Sequence, residues 1–562
     1  MDGGPGYHGR VSTPATPPEP GRPEPAAPPV ATPAPTGSRV AVADLSTVAR
    51  LRDFLPADTL RSWVLTALVA GLAFVLRLVN LGYPSYLIFD ETYYAKDAYS
   101  LLQSGFERQW PDSMDVTNKA FVAGDFSYLE AGASFVVHPP LGKWLIAAGE
   151  ALFGVNSFGW RFMACVFGAL LVAATMRLAR RLGRSTLIGV IAGLLLTFDG
   201  LAFVMSRIAL LDIFQAFFLT AAVAAVVADR DWFRNRLADR LTARGVPDFG
   251  GGFGGLALWR PWRWVAGLLF GCALAVKWNS VYVLAAFGVL SVLWDVGARR
   301  LAGADFRSWL ALLYDGIPAF VAMVGTAAAT YLATWAGWFA TSGGWDRDWG
   351  ARNPDSPLVR AFGPDLASWL WYHKEVYEFH TGDFINNATH PYDAHPAGWL
   401  LMLRPIGIDA VNDIAPGTDG CTNPVGNCLR VISGMGTPLL WWFSALALVV
   451  AAVWWLGGRD WRFGVPVVAV AATWLPWFQY TARPLFFFYA ITIVPFSVVA
   501  LALVLGLVLG RVGSPGRRRG AIVAGLVVAL VILDFGYIYP VLTDHLLPYH
   551  DWLVRMWLHS WI

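Results

Sequence analysis

WRFMACVFGALLVAATMRLARRLGR, residues 160–184, holds one arginine at 161, fifteen uncharged residues over 162–176, and four arginines at 177, 180, 181 and 184. A run of about 20 mostly apolar residues rises far enough as a helix to cross the ~30 Å hydrocarbon core. Its two ends differ. Arginine crowds the inner side of membrane helices, so 177–184 is predicted to lie inside, with Arg161 at the outer mouth.

The rest of the chain repeats this design. Of 562 residues, 56% are hydrophobic and 14% charged, with a mean hydropathy of +0.49. An ordinary globular chain has about 45–50% and about 25%. A soluble enzyme is therefore excluded, and the evenly spread net charge of +3 argues against nucleic acid as a partner. Apolar runs predict eleven spans, near 63–80, 160–179, 186–204, 208–228, 262–277, 280–297, 314–339, 438–457, 464–480, 485–510 and 520–540. With the N-terminus inside, every inside loop is arginine-rich. These loops carry Arg177 to Arg184; Arg230, Arg234, Arg236, Arg240 and Arg244; Arg299, Arg300 and Arg307; Arg459 and Arg462; and Arg511 with Arg517 to Arg519. The short segment Gly142 to Phe153 would break the alternation as a span and is laid along the outer interface.

Three regions follow: a tail over 1–59, a transmembrane catalytic domain over 60–540, and a tail over 541–562. Residues 1–36 contain eleven prolines and little to bury, which predicts a disordered cytoplasmic tail rather than a signal peptide. Two long outer loops, 81–159 and 340–437, mix aromatics, His, Asp and Pro as ordered functional loops do. The last tail, with Trp552, Trp557 and Trp561, reads as an outer interfacial amphipathic helix. Cys421 and Cys428, six residues between them in an outer polar loop, are expected to form a disulfide. Cys165 and Cys272 read as packing residues, and the glycine run 250–255 as a flexible inner connector.

Against this distribution four cations stand at outer span mouths: Arg161, Arg207, Lys277 and Arg483. Snorkelling explains each singly; together they suggest an anionic head group, most simply a lipid phosphate. The span before Lys277 is only about 15 residues, roughly 22 Å, which would leave its ammonium recessed in a polar cavity. Beyond the first span lies the pair Asp90-Glu91 among aromatics. It reads as a solvated charge pair, a metal ligand set, or a general base with a supporting acid. The corner His138-Pro139-Pro140 would hold His138 and Lys143 on either side. In Ser206 to Asp212, Arg207 either pairs with Asp212 or meets a phosphate. His373, His380, His390 and His395 lie near Asp383 and Asp393 without tight metal spacing, so no metal is assigned. The run 390–405, HPYDAHPAGWLLMLRP, reads as an acceptor-side platform carrying His390 and His395.

Taken in order, Asp90-Glu91, HPPLGK at 138–143, Arg161, SRIALLD at 206–212, VKWN at 276–279 and the 390–405 run resemble the bacterial protein O-mannosyltransferases (glycosyltransferase family 39). The resemblance implies an all-α polytopic GT-C fold with about 11 transmembrane helices. It also implies inverting transfer of mannose from polyprenyl-phosphate-mannose to Ser or Thr hydroxyls of exported proteins. By position, it implies Asp90 as catalytic base, Glu91 beside it, and Arg161 linked to the lipid phosphate. The 340–437 loop is too short for the β-trefoil module that eukaryotic relatives insert there.

The residues fit that chemistry on their own terms. A lipid-phosphate sugar carries its own leaving group, so a base for the hydroxyl and cations for the departing phosphate suffice. No cofactor is required, and a divalent cation is not indicated. Expected partners are the lipid donor, membrane lipids and secreted or translocating polypeptides near the Sec translocon. The expected location is the cytoplasmic membrane, with the N-terminus cytoplasmic and the active site extracytoplasmic. The nearest alternative is a GT-C enzyme with a lipid or polysaccharide acceptor. A transporter would place ionisable groups in mid-span, where only Asp199 and Asp534 lie.

Overall fold

Helical segments stand at all eleven apolar runs in the computed structural model. It describes residues 46–52, 58–111, 113–424 and 426–562, with Met1, Gly3 and Gly6. Most of the expected disordered tail lies outside the described residues. Its end does not behave as expected. Thr47–Leu51 is a short helix, capped by Ser46, whose hydroxyl accepts from the Ala49 N–H at 3.3 Å. Leu51 is buried with Phe233, Leu237 and Leu241 of the long helix Asp212–Arg244.

Six described helices are long and apolar enough to cross a membrane: Leu60–Leu78, Ser157–Gly183, Asp212–Arg244, Ser280–Thr334, Pro438–Leu456 and Arg517–Leu542. Thr186–Thr197 and Val494–Leu509 are shorter apolar helices. The remaining runs are shortened or broken for local reasons. The 186–204 run stops at Asp199, whose carboxylate accepts from the Leu201 N–H at 3.1 Å and starts a second helix, Gly200–Met205. Pro261 opens a helix that ends at Leu274, which leaves Lys277 beyond its last turn. The segment Leu141–Phe153 is a 13-residue helix, too short to span. It crosses the helix Ser157–Gly183 through glycine: a Cβ at Gly149 would stand 2.4 Å from the Gly159 carbonyl oxygen.

On the arginine-rich side a buried ion network joins four segments. Arg260 holds Asp229 (3.0 and 2.5 Å) and Asp295 (2.8 Å), while Arg263 holds Asp229 (3.1 Å) and Asp295 (2.5 Å). Arg299 grips Asp315 through two bonds of 2.5 and 2.7 Å. Its remaining amino group donates to the carbonyls of Phe253 and Gly255, and Arg240 takes those of Gly254, Gly255 and Leu256. The glycine run is therefore not a slack connector. Two guanidinium groups hold its backbone oxygens, which a side-chain-free stretch leaves open to them.

Opposite, a small antiparallel sheet forms in the order β1 (Ile406–Ile414), β2 (Cys428–Gly434), β3 (Leu547–Pro548). The disulfide Cys421–Cys428, with a Cα separation of 5.8 Å, closes the β1–β2 connection as expected. The C-terminal tail is not one amphipathic helix. Leu547 pairs with Leu429, and only the short helix Tyr549–Leu553 and a turn at His559–Trp561 follow. Trp561 is buried and donates its indole N–H to the Met402 carbonyl at 2.7 Å. Strand pairing and that anchor satisfy backbone groups that a surface helix would have satisfied internally.

Removing Asp295 from this network leaves two buried guanidinium groups, Arg260 and Arg263, to share the single counter-charge of Asp229. Asp295→Ala is expected to cost about 3–5 kcal/mol, read as a large fall in the unfolding temperature of the detergent-purified protein. Arg52→Ala, which removes the exposed pair with Asp239 at 2.8 Å, should cost under about 1 kcal/mol.

Candidate active site

Glu91 and Arg161 form a closed, fully buried pair. The guanidinium has five N–H donors, and five acceptors meet it: both carboxylate oxygens of Glu91 (2.7 and 2.8 Å) and the carbonyls of Leu81, Pro84 and Tyr86 (3.3, 2.7 and 3.0 Å). The carboxylate is equally occupied, because it also accepts from the backbone N–H groups of Ile88 (3.1 Å) and Ala209 (2.9 Å). Four stretches of chain are tied at one point: the loop after the first span, the start of the helix Glu91–Ser104, the outer end of Ser157–Gly183, and the 206–211 turn.

This overturns two expectations. Arg161 has no donor left for a phosphate, and Glu91 has no lone pair left for a substrate proton. Both are structural. Their chain neighbour Asp90 takes no part in this clamp. It follows Phe89, held at φ +49°, a conformation that costs a non-glycine residue about 1–3 kcal/mol. The clamp on Glu91 imposes that bend, and Phe89 meets Phe488 edge-on at 5.7 Å. Lys277 lies over the same Phe488 ring, 5.7 Å from its centroid, and 5.0 Å from that of Tyr489. Burial pushes the Asp90 carboxyl up to about 6; the Lys277 ammonium draws it down and the Asp212 carboxylate raises it further.

Lys277, His138, Trp278, Asn279, His380 and Arg483 line a cavity of about 300 Å³, within the size range of small-molecule sites. Lys277 is recessed there as its short helix implied, and its ammonium binds both oxygens of Asp212 at 2.8 Å. Asp212 therefore pairs with Lys277, not with Arg207. Arg207 turns away and donates to the carbonyls of Arg77, Val79 and Asn80 (2.6, 2.5 and 3.0 Å) at the end of the helix Leu60–Leu78. Of the four expected phosphate ligands, Lys277 and Arg483 share the cavity; Arg161 and Arg207 are occupied by backbone and Glu91. The Arg483 Nε–H is buried without an acceptor among the described residues.

The corner Pro139-Pro140 is buried and does part its polar flanks. His138 lines the cavity beside His380, ring centroids 5.6 Å apart, with Tyr94 at 6.3 Å. Burial and the nearby Lys277 charge hold its imidazole well below the ordinary histidine range, hence neutral. Lys143 points elsewhere, into a buried ion cluster with Glu107 and Asp97, so it supports the helix packing rather than the cavity. His390 and His395 are exposed and act locally: each Nδ1 accepts from a backbone N–H two residues on, of Tyr392 (3.1 Å) and Ala397 (3.2 Å). Neither lines the cavity. Sequence reasoning did not single out Trp278, Tyr282, Tyr377 and Tyr489 as site residues. Aromatics are too common in this chain to mark a wall before the fold gathers them.

Comparison with known proteins follows the same lines. The family model described as dolichyl-phosphate-mannose-protein mannosyltransferase matches residues 67–246. A polyprenol-phosphate-mannose–protein mannosyltransferase of Mycobacterium tuberculosis (strain CDC 1551 / Oshkosh) is 39% identical over 530 residues, 91% of this chain and 94% of that one. A protein of the same name from Corynebacterium glutamicum is 35% identical over 511 residues, 88% of this chain and 92% of that one. Among solved structures, the S. cerevisiae protein O-mannosyltransferase Pmt1-Pmt2 complex bound to the sugar donor aligns with a TM-score of 0.65. That match covers 92% of this chain and 94% of the other at 13% identity, a likeness of fold.

The two acidic neighbours should separate in a stability measurement. Glu91→Ala leaves Arg161 buried and uncompensated and should cost about 3–5 kcal/mol. Asp90→Asn keeps the shape and removes a desolvated charge, so unfolding should move by no more than about 1 kcal/mol. Equal losses would contradict the division of roles.

Proposed function

The chain belongs to the polyprenol-phosphate-mannose–protein mannosyltransferases, multi-pass membrane glycosyltransferases, and we propose that it transfers mannose to Ser or Thr hydroxyls of exported polypeptides at the outer face of the cytoplasmic membrane. The observation that carries the residue assignment is that Asp90, outside the Glu91–Arg161 clamp, feels the charge of Lys277, which with Arg483 lines the cavity. The alternation of arginine-rich loops supports an extracytoplasmic site, where polypeptides emerging from the Sec translocon would be met.

In this reading the acceptor hydroxyl oxygen attacks C1 of the mannose from the face opposite the phosphate. The C1–O bond to phosphate breaks as the new C1–O bond forms, inverting that carbon. Asp90 takes the hydroxyl proton, and polyprenyl phosphate departs with the electron pair. A carboxyl raised to about 6 is still ionised at neutral pH and is a stronger base than an ordinary aspartate. Two of the three Lys277 donors meet Asp212, which leaves the third for the departing oxygen. Arg483 contributes its buried Nε–H, which has no acceptor among the described residues. Asp212 fixes the ammonium and keeps the pocket from holding an unbalanced charge before the donor arrives.

The decisive assay supplies reconstituted vesicles with labelled polyprenyl-phosphate-mannose and a Thr-rich secreted peptide. Label should reach the peptide hydroxyls; label in lipid or polysaccharide instead would overturn the acceptor assignment. Asp90→Asn should lower transfer by about 10²–10⁴-fold while donor binding persists. Since the base must be ionised, wild-type kcat/KM should rise with pH through about 6 and flatten above it. A profile already flat from pH 4.5 upward would exclude Asp90 as the base.

A further inference from the structure

The outer-loop helix Pro357–Thr381 places His373, Tyr377 and His380 at positions i, i+4 and i+7, one stripe of its surface. Tyr377 and His380 line the cavity, and His373 lies just behind its wall. Each histidine is locked as one tautomer, because each has one ring nitrogen on a backbone carbonyl, which can only accept. His380 donates from Nε2 to the Val137 carbonyl at 3.0 Å, so its Nδ1 lone pair accepts from the Arg483 guanidinium at 3.2 Å. His373 donates from Nδ1 to the Trp369 carbonyl at 2.7 Å, so its Nε2 accepts from the Tyr331 hydroxyl at 2.7 Å. That hydroxyl in turn accepts the indole N–H of Trp278 at 2.8 Å.

Both relays end on a cavity-lining side chain. Arg483 is a cation whose buried Nε–H lacks an acceptor. Trp278 follows Lys277 in the chain, and its ring is stacked on His373, centroids 5.5 Å apart and 21° between planes. With one face backed in this way and the indole N–H tied, the ring cannot turn. A fixed aromatic surface packs against the C–H face of a hexose without losing rotamer freedom on binding. Burial holds both imidazoles down at about 4, so both lone pairs remain acceptors at neutral pH.

We infer that this stripe presets two side chains of the cavity: His380 is the positioning residue for Arg483 at the phosphate, and His373, through Tyr331, positions Trp278 as the wall against the sugar. The inference rests on reading the cavity as the donor's site. It assigns the two relays to different parts of one ligand, and that difference can be measured.

The experiment uses full-length protein in nanodiscs with two probes, polyprenyl phosphate and polyprenyl-phosphate-mannose, and reads binding together with the KM and kcat of transfer. Tyr331→Phe should weaken the mannose-bearing lipid about tenfold, one hydrogen bond's worth, and leave polyprenyl phosphate unchanged. His373→Gln, whose amide oxygen can stand at Nε2, should retain that discrimination. His380→Ala should weaken both lipids alike, about tenfold, through KM rather than kcat. His380→Asn, with an oxygen near the Nδ1 position, should restore both. If Tyr331→Phe weakens the two lipids equally, or neither, the sugar-wall role is overturned. If His380→Asn does no better than His380→Ala, the role in orienting Arg483 is overturned. Arg483→Met is the separate control: unchanged affinity for both lipids would remove the cavity as the donor's site, and the inference with it.

Discussion

The buried contact between Glu91 and Arg161 is the constraint on which the arrangement around Asp90 depends. Two full charges removed from water would cost several kcal/mol each if either were incompletely paired. Here every donor of the guanidinium and four acceptor positions of the carboxylate are used. Saturation makes the pair tolerable inside the protein, and it also gives the pair its reach. The carbonyls of Leu81, Pro84 and Tyr86 belong to a loop with no ladder of its own, and Arg161 supplies their bonds. With that loop held, Phe89 is bent, Glu91 points inward, and Asp90 is presented toward Lys277.

Arginine serves the same purpose at several other points where the backbone leaves helical geometry. Buried Arg77 donates to the carbonyls of Ala73, Leu196 and Thr197 near the break at Asp199. Arg207 closes the end of the first helix, and Arg299 and Arg240 hold the glycine run. In an apolar protein such carbonyls have little water to turn to, so a five-donor side chain is an economical partner. Arg77 keeps a buried Nε–H without an acceptor among the described residues, but Arg483 with its open Nε–H and Lys277 with a third ammonium proton both lie on one cavity.

Much of the fold was legible beforehand because hydropathy and arginine placement act along the chain. The eleven apolar runs all became helical, and the Cys421–Cys428 bridge closed a loop short enough to bring its ends together. The candidate site was legible only in part. Asp90 and Glu91 are adjacent and chemically alike, and nothing local says which one Arg161 will saturate from 70 residues away. Likewise Asp212 had a nearer cation in Arg207, yet pairs with Lys277 across 65 residues. Lys143 sat in a recognisable motif but faces Glu107, because the helix Leu141–Phe153 turns it away from the corner that His138 occupies. The tail 541–562 looked amphipathic by composition, while its pairing with β2 is a long-range event that periodicity does not register.

By itself, then, the sequence determined the membrane class, the positions of the apolar helices and the family, since these follow from composition and from the local order of motifs. Only the tertiary structure decided which charges are spent on holding the chain and which are left for chemistry. The physical reason is that a charged side chain's role is set by how many of its hydrogen-bonding positions its neighbours in space already occupy. For Glu91 and Arg161 backbone and side-chain neighbours fill them, and Arg207 spends three donors on backbone carbonyls. For Asp90, Lys277 and Arg483 they do not: Lys277 and Arg483 line the cavity, and Asp90 stands within the field of Lys277.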